Sequence, residues 1–147
     1  MFRHINSGEA TGLIRTFYSA VDEPGVPVSA LNVYVSDDFK DHNRSRNIPV
    51  EFTDKYALLG LFSALRTAFP DGKHRLDIVE PIGEDRAMVY WTFTGTHTGL
   101  FFDKAASGNT VSINGVDIFR VANGQFVEQW HVEELLALFA QIETRSV

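Results

Sequence analysis

The chain has 147 residues, no cysteine and a formal net charge of −6, with 44% hydrophobic and 22% charged residues. This length and composition predict one globular domain over residues 1–147. An acidic balance without a cluster of Lys and Arg argues against nucleic acid as a partner, and the lack of cysteine excludes thiolate chemistry and Cys-based metal sites. The 12 phenylalanines exceed what a core of this size needs, so we expect some of them to line a cavity.

Targeting signals are not apparent in the sequence. Residues 1–10 show no apolar core of a secretion signal, and no stretch approaches the ~20 apolar residues that span a bilayer. We therefore expect a cytoplasmic protein with no membrane partner.

Apolar residues recur at helical spacing in the first half of the chain. Residues 8–21 predict a helix with one apolar stripe, formed by Leu13, Ile14, Phe17, Tyr18 and Val21. Residues 29–35 predict a short helical segment, and residues 37–46 a short extended piece followed by a loop. Thr53 can cap a second helix by accepting from an unpaired N–H of its first turn, and residues 70–72 end that helix.

Beyond residue 72 the apolar period falls from about four to two, which predicts strands. These cover residues 76–82, 88–98, 109–121 and 125–132, and a last helix starts at Glu133. Asn123-Gly124 is a strong hairpin signal because both residues tolerate positive φ. The order predicts an α+β fold in which a curved antiparallel sheet wraps around the N-terminal helices and leaves a cone-shaped cavity.

Asp117 interrupts an apolar row on the third predicted strand, where its alternate neighbours are Val111, Ile113, Gly115, Phe119 and Val121. A carboxylate on such a face is costly to bury without hydrogen bonds, and its pKa is shifted. Catalytic groups have these properties, and so do structural carboxylates that accept from a core His, Tyr or Trp. Asp117 is therefore a candidate catalytic residue, with a structural role as the alternative.

The register of the last hairpin decides what lies beside Asp117. With a three-residue turn and a bulge, Asp117 pairs with Gln129, and His131 lies diagonally on the same face. A two-residue turn instead places Trp130 opposite Asp117 and turns His131 away. In the first arrangement the carboxylate fixes the tautomer of His131 and raises its basicity, which makes the two an acid/base pair.

Other polar side chains are candidates for contact with a substrate. His97 falls on the face of Trp91 and Phe93, or else at the rim of the sheet, and His42 follows a short strand at the predicted cavity mouth. Tyr18 shares the buried stripe of the first helix, so its hydroxyl needs a partner or lines the cavity. A metal site built from these histidines and Asp117 would lack any close ligand spacing, and we predict none.

Several short motifs together resemble the SnoaL-like polyketide cyclase family of the NTF2-like superfamily. The resemblance covers nearly the whole chain, in order and at matching spacing, through Asp41-His42 and residues 69–71 (FPD), 83–86 (GEDR), 95–99 (GTHTG), 118–121 (IFRV) and 124–130 (GQFVEQW). It implies an NTF2-like α+β cone with a deep apolar pocket. This superfold hosts several reactions as well as binding proteins.

For the cyclases, the resemblance implies an intramolecular aldol closure without a cofactor, driven by an acidic residue just past the Trp of the last strand and facing a histidine. Here His131 follows Trp130 and Asp117 is the facing residue, so the two residue types are exchanged. Glu133 and Glu134 are alternative carboxylates, although acidic residues also favour a helix N-terminus without any function.

The resulting hypothesis is a cofactor-free enzyme, a cyclase or a related isomerase or lyase, acting on a hydrophobic small molecule. Asp117 and His131 transfer protons, and the substrate is held by Tyr18, His42, Trp91, Phe93, His97, Phe119 and Gln129. The alternative is a domain that binds a small ligand or dimerises without catalysis. We expect a homodimer formed through the exposed face of the sheet.

Overall fold

The computed structural model describes residues 7–46 and 49–143. Residues 1–6, which belong to the segment searched for a secretion signal, lie outside the described residues. The elements in chain order are helix α1 (Ser7–Val21), a 3-10 helix (Val28–Tyr34), strand β1 (Val35–Asp41), helix α2 (Asp54–Ala68), strands β2 (Lys73–Ile82), β3 (Arg86–Thr96), β4 (Thr110–Ala122) and β5 (Gln125–Glu133), and helix α3 (Leu135–Glu143).

The predicted elements are present, with small shifts at their ends. Thr53 caps α2 as expected, since its Oγ1 accepts from the backbone N–H of Tyr56 at 3.3 Å. Asn123 and Gly124 adopt φ values of 53° and 74° in the hairpin turn between β4 and β5. Strand β3 ends at Thr96, so His97 lies just beyond it.

The five strands form one open sheet in the order β1-β5-β4-β3-β2. Strands β2 to β5 make the predicted antiparallel meander, but β1 pairs in parallel with β5. The sheet is therefore mixed, and the expectation of an antiparallel sheet is wrong at this edge. The physical reason is that β1 and β5 are far apart in the chain, so no turn residue signals their direction.

The helices cover one face of the sheet, where α1 packs against β2, β3 and β4, and α2 packs against β1. Aromatic rings fill much of the space between the layers. The ring of Phe17 lies edge-to-face with those of Tyr34, Phe62 and Phe126, at centroid distances of 5.9, 5.4 and 5.2 Å. Much of the phenylalanine surplus is thus core packing, in which edge-to-face contacts stabilise beyond their buried area.

None of the helices in residues 7–46 and 49–143 is both long and apolar enough to cross a bilayer.

Candidate active site

Asp117 lies buried in the covered face of β4 and accepts hydrogen bonds from three side chains. The hydroxyl of Tyr18 and the indole Nε1 of Trp91 donate to its Oδ2, at 2.5 and 2.8 Å. The Nε2 of Gln129 donates to its Oδ1 at 2.9 Å. Tyr18, Trp91 and Gln129, which the sequence predicts as substrate contacts, therefore converge on the predicted acid.

The charge states of this cluster follow from its burial. Burial raises the pKa of Asp117, and the hydrogen bonds from Tyr18, Trp91 and Gln129 act in the opposite direction. Burial, followed by the charge of Asp117, raises the pKa of Tyr18 well above its ordinary value. Tyr18 thus stays protonated at neutral pH, next to a carboxyl group that holds a proton more tightly than an exposed one.

The hairpin register differs from both predicted alternatives. The turn has two residues, with Ala122 paired to Gln125, but a bulge between Arg120 and Val121 shifts the remaining pairs by one. Asp117 consequently lies directly opposite His131. Turn residues do not indicate a bulge that lies inside a strand. The prediction from the turn residues therefore gave another register.

The ring of His131 points to two other carboxylates. Its Nδ1 lies 2.7 Å from Oε2 of Glu133, and its Nε2 lies 2.9 Å from Oδ1 of Asp41. Although burial favours the neutral ring, the hydrogen bonds to Asp41 and Glu133 outweigh it and raise the pKa of His131 to about 10. Because a carboxylate can only accept, both ring nitrogens carry protons and His131 is a cation at neutral pH.

Three further predicted contact residues pack against or bond residues other than Asp117. The ring of His42 stacks on Trp130 at 4.5 Å and its Nε2 bonds Glu128 at 2.7 Å. The fully buried His97 accepts at Nδ1 from the backbone N–H of Ser107 at 3.1 Å, so it holds the loop after β3. Phe119 stacks on Phe126.

A cavity of about 270 Å³ opens between α1 and the edge strand β2, lined by Arg15, Tyr18, Ser19, Asp22, His74 and Leu76. Five of its six lining residues carry a polar group, so its lining is mixed, in contrast to the apolar pocket that the resemblance implies. Ligand pockets usually span ~300–1,000 Å³, so this cavity lies just below the usual range and has room for a compact molecule only. Tyr18 connects it to the buried Asp117.

Asp22 and His74 form a second polar pair in the same cavity, which the sequence interpretation missed. Oδ1 of Asp22 lies 2.8 Å from Nδ1 of His74, and its Oδ2 accepts from the backbone N–H of His74 at 2.6 Å. A signal was present: Asp22 follows Tyr18 by four residues, about one helical turn, and His74 and Leu76 share one face of a strand.

Phe93, another predicted contact residue, packs beside this pair, with its ring centroid 4.9 Å from that of His74. Within residues 7–46 and 49–143, no group of three or more His, Asp or Glu side chains is arranged to hold a metal ion.

Comparison with known proteins places this site in a family. The sequence profile of the SnoaL-like polyketide cyclases matches residues 12–142. The chain belongs to the SnoaL-like polyketide cyclase family. The match includes Asp22, His74, Asp117 and His131, so the whole site lies inside the family domain.

Solved structures of similar fold agree with this membership. AclR from Streptomyces galilaeus, for which a hydroxylase activity is proposed, superimposes with a TM-score of 0.78 at 22% identity, covering 97% of this chain and 86% of AclR. A proposed SnoaL-like polyketide cyclase from a Jannaschia species gives 0.77 at 19% identity, with 99% of each chain covered.

A third structure is IdmH from Streptomyces antibioticus, a proposed polyketide cyclase, with a TM-score of 0.73 at 20% identity, covering 92% of this chain and 99% of IdmH. Identities this low establish the shared NTF2-like fold alone. No curated protein sequence matches the chain significantly.

Proposed function

We propose that this SnoaL-like protein is a cofactor-free enzyme that transfers protons to and from a small carbonyl compound, in an aldol cyclisation or a related isomerase or lyase reaction. One observation carries the proposal. Tyr18 is one of the residues that line the cavity, and its hydroxyl is hydrogen-bonded at 2.5 Å to the buried carboxyl group of Asp117.

The pair suits the stabilisation of an enolate oxygen. With a proton on Asp117, the carboxyl group donates to Tyr18, and the Tyr18 hydroxyl is then free to donate to a carbonyl oxygen in the cavity. An apolar site can keep a carboxylic acid neutral for this purpose, and the raised pKa of Asp117 is in that direction. A fixed donor of this kind contributes most where charge develops in the transition state.

His131 takes part in the proposed mechanism, but not as a base. Both of its ring nitrogens face carboxylates, so it has no free lone pair with which to accept a proton. Its positive charge lowers the pKa of Asp117, in opposition to burial. We assign it to tuning the acidity of Asp117 through space.

The size and lining of the cavity limit the range of possible substrates. Its volume of about 270 Å³ and mixed lining favour a compact molecule with one ring or a short chain and at least one carbonyl group. The apolar part of such a molecule would lie against the rings of Tyr18 and His74 and the side chain of Leu76.

The test is exchange of α-carbon protons for deuterium in a panel of small ketones and keto acids, followed by NMR. Asp117→Asn and Tyr18→Phe should each reduce enzyme-dependent exchange strongly while leaving the circular dichroism spectrum unchanged. Exchange that is equal in the wild type and both variants would refute the assignment of these two residues.

A non-catalytic role in a homodimer is the second candidate, favoured by the aromatic packing of the interior and by the outer face of the sheet. Ile78, Tyr90, Val116 and Val132 are directly paired across β2, β3, β4 and β5, and form one apolar row on that face. Val132 is 68% exposed. A second copy related by a two-fold axis would cover this row with the same row of its own.

A further inference from the structure

The Asp22–His74 pair defines a single tautomer of the histidine. Because the Asp22 carboxylate only accepts, the neutral ring carries its proton on Nδ1, which leaves the lone pair on Nε2. The buried side-chain atoms without a partner in the described part of the chain are His97 Nε2 and Gln129 Oε1. His74 Nε2 has no hydrogen-bond partner there either, and His74 is one of the residues that line the cavity.

Both members of the pair are firmly held. The guanidinium of Arg66 on α2 donates to the carbonyls of Ala20 and Val21 at 2.9 and 3.1 Å, and so fixes the end of α1 next to Asp22. The ring of His74 lies between aromatic neighbours, with centroids 5.0 Å from Tyr18 and 5.4 Å from Trp91. The side chain of His74 is 4% exposed. Such rigidity is what a catalytic base requires.

We propose that His74 is the catalytic base of this enzyme and that Asp22 is its positioning residue. The inference rests on the proposed function, since it completes the site that Tyr18 and Asp117 begin. The pair lines the same cavity as Tyr18, so that a base and a hydrogen-bond donor face one small substrate.

The chemical step balances without any co-reactant. Nε2 of His74 takes a proton from the carbon next to a carbonyl group, the C–H electrons form the C=C bond, and the carbonyl π electrons move to the oxygen. Tyr18 donates a hydrogen bond to the resulting enolate oxygen. The imidazolium, stabilised by Asp22, then returns the proton to carbon.

The substrate class follows from the remaining lining. Arg15 is an exposed residue of the cavity lining, and its guanidinium has no hydrogen bond or ion pair with any described residue. Guanidinium groups bind carboxylates in a two-point arrangement. We therefore assign the site to a small keto acid, with its carboxylate on Arg15 and its carbonyl oxygen on Tyr18.

The closing experiment uses 5-nitrobenzisoxazole, a compact planar probe in which a base removes a C–H proton as the N–O bond breaks to release a coloured phenolate. The variants are His74→Gln, Asp22→Asn and Tyr18→Phe, with Glu23→Gln as the matched control. Glu23 is the carboxylate next to Asp22 in the chain, and its Oε1 accepts from the N–H of Gly25. His74→Gln should reduce kcat/KM about a hundredfold, and Glu23→Gln should leave it unchanged.

Asp22→Asn should change a measurable property, the tautomer of His74, that a purely structural role of Asp22 would leave unchanged. The asparagine oxygen can accept the backbone N–H of His74, but its NH2 group must then donate to Nδ1, which forces the ring proton onto Nε2. Nitrogen-15 NMR of the neutral imidazole should thus show the Nδ1–H tautomer of His74 in the wild type and the Nε2–H tautomer in this variant, with a loss in kcat. A wild-type ring with its proton on Nε2 would overturn the inference.

The two proposals fail in different ways. Loss of turnover in Tyr18→Phe but not in His74→Gln would reject His74 as the base and leave the Tyr18–Asp117 pair standing. The reverse pattern would retain His74 and reject that pair. A wild-type rate no higher than that of His74→Gln also rejects the base.

Discussion

The indole of Trp91 crosses directly over Gly115 on the neighbouring strand to reach Asp117. A Cβ atom at residue 115 would lie 2.2 Å from Cζ2 of Trp91, far inside van der Waals contact. These two residues are paired across β3 and β4, so the missing side chain makes room for the ring on the covered face. The hydrogen bond from Trp91 to Asp117 therefore depends on glycine at this position.

Gly115→Ala should displace Trp91 and break that hydrogen bond. We expect the free energy of unfolding to fall by about 1–3 kcal/mol, because overpacking forces the ring out of its place. The Nε1–H resonance of Trp91 should also move in the NMR spectrum. Gly60→Ala on α2 is the control, since nothing lies within 4 Å of its added Cβ, and it should not destabilise. An unmoved Trp91 resonance would contradict the packing argument.

Substitutions of Asp117 should separate its charge from its hydrogen bonds. Asp117→Asn keeps the shape of the side chain and should lower the free energy of unfolding by about 1 kcal/mol at acidic pH. Asp117→Ala leaves buried donors unpaired and should lower it by about 3 kcal/mol or more. Because burial raises the folded-state pKa of Asp117, its contribution to stability is present at low pH and is lost as the pH rises through that pKa.

The stability difference between the wild type and Asp117→Asn should therefore narrow as the pH rises from mildly acidic to neutral. Urea unfolding at several pH values measures it. Tyr18, Trp91, Gln129 and His131 face the carboxyl group, and they are unchanged in this comparison. A difference that widens with pH would mean that the pKa is lowered instead.

His131 should make the free energy of unfolding depend on pH in the alkaline range. Its pKa is raised from 6.5 to about 10, so the stability that it contributes is complete below pH 6.5 and is lost as the pH rises through about 10. Asp41 and Glu133 bond its ring, and Asp117 lies opposite. The free energy of unfolding of the wild type should fall across this range more steeply than that of His131→Gln.

His42→Gln is the matched control for this slope, because His42 bonds a single carboxylate, that of Glu128, on the outer side. It should retain the wild-type fall in stability as the pH rises through about 10, since it leaves His131 and its two carboxylates in place. Identical slopes in the wild type and His131→Gln would show that the ring is not held as a cation between its two carboxylates.

Dimer formation can be tested with a single charge in the apolar row of the outer face. Val132→Glu should shift the sedimentation of the protein from dimer to monomer, since it places a carboxylate inside the proposed interface. Val33→Glu is a matched control: Val33 is 66% exposed, as against 68% for Val132, and lies in the 3-10 helix, outside the apolar row. A monomeric wild type, or a dimeric Val132→Glu variant, contradicts the interface.

The helices, the hairpin turn and the unusual position of Asp117 were predictable because each is a local pattern. Period-two alternation alone places Asp117 among apolar neighbours on the covered face. Tyr18 likewise follows from the helical stripe. These signals depend on residues a few positions apart, which share a face whatever the rest of the fold does.

The contacts of His131 and His74 could not be predicted because they depend on distant pairings. His131 bonds Asp41 because β1 lies parallel to β5, and it opposes Asp117 because of the bulge in the hairpin. The Asp22–His74 pair forms because α1 crosses the edge strand β2. The surplus of phenylalanine led us to expect that some of these rings line a cavity, whereas edge-to-face packing accommodates many of them in the core.

The most direct measurement is calorimetric titration with 4-nitrophenolate, a one-ring anion that resembles an enolate. Tyr18→Phe removes the proposed donor, and Tyr34→Phe is the control because Tyr34 packs against Phe17 on the 3-10 helix. The account predicts that the wild type and Tyr34→Phe bind equally, and that Tyr18→Phe binds at least about tenfold more weakly, a loss of about 1.4 kcal/mol. Equal affinity in the wild type and Tyr18→Phe, or no binding to the wild type, would contradict it.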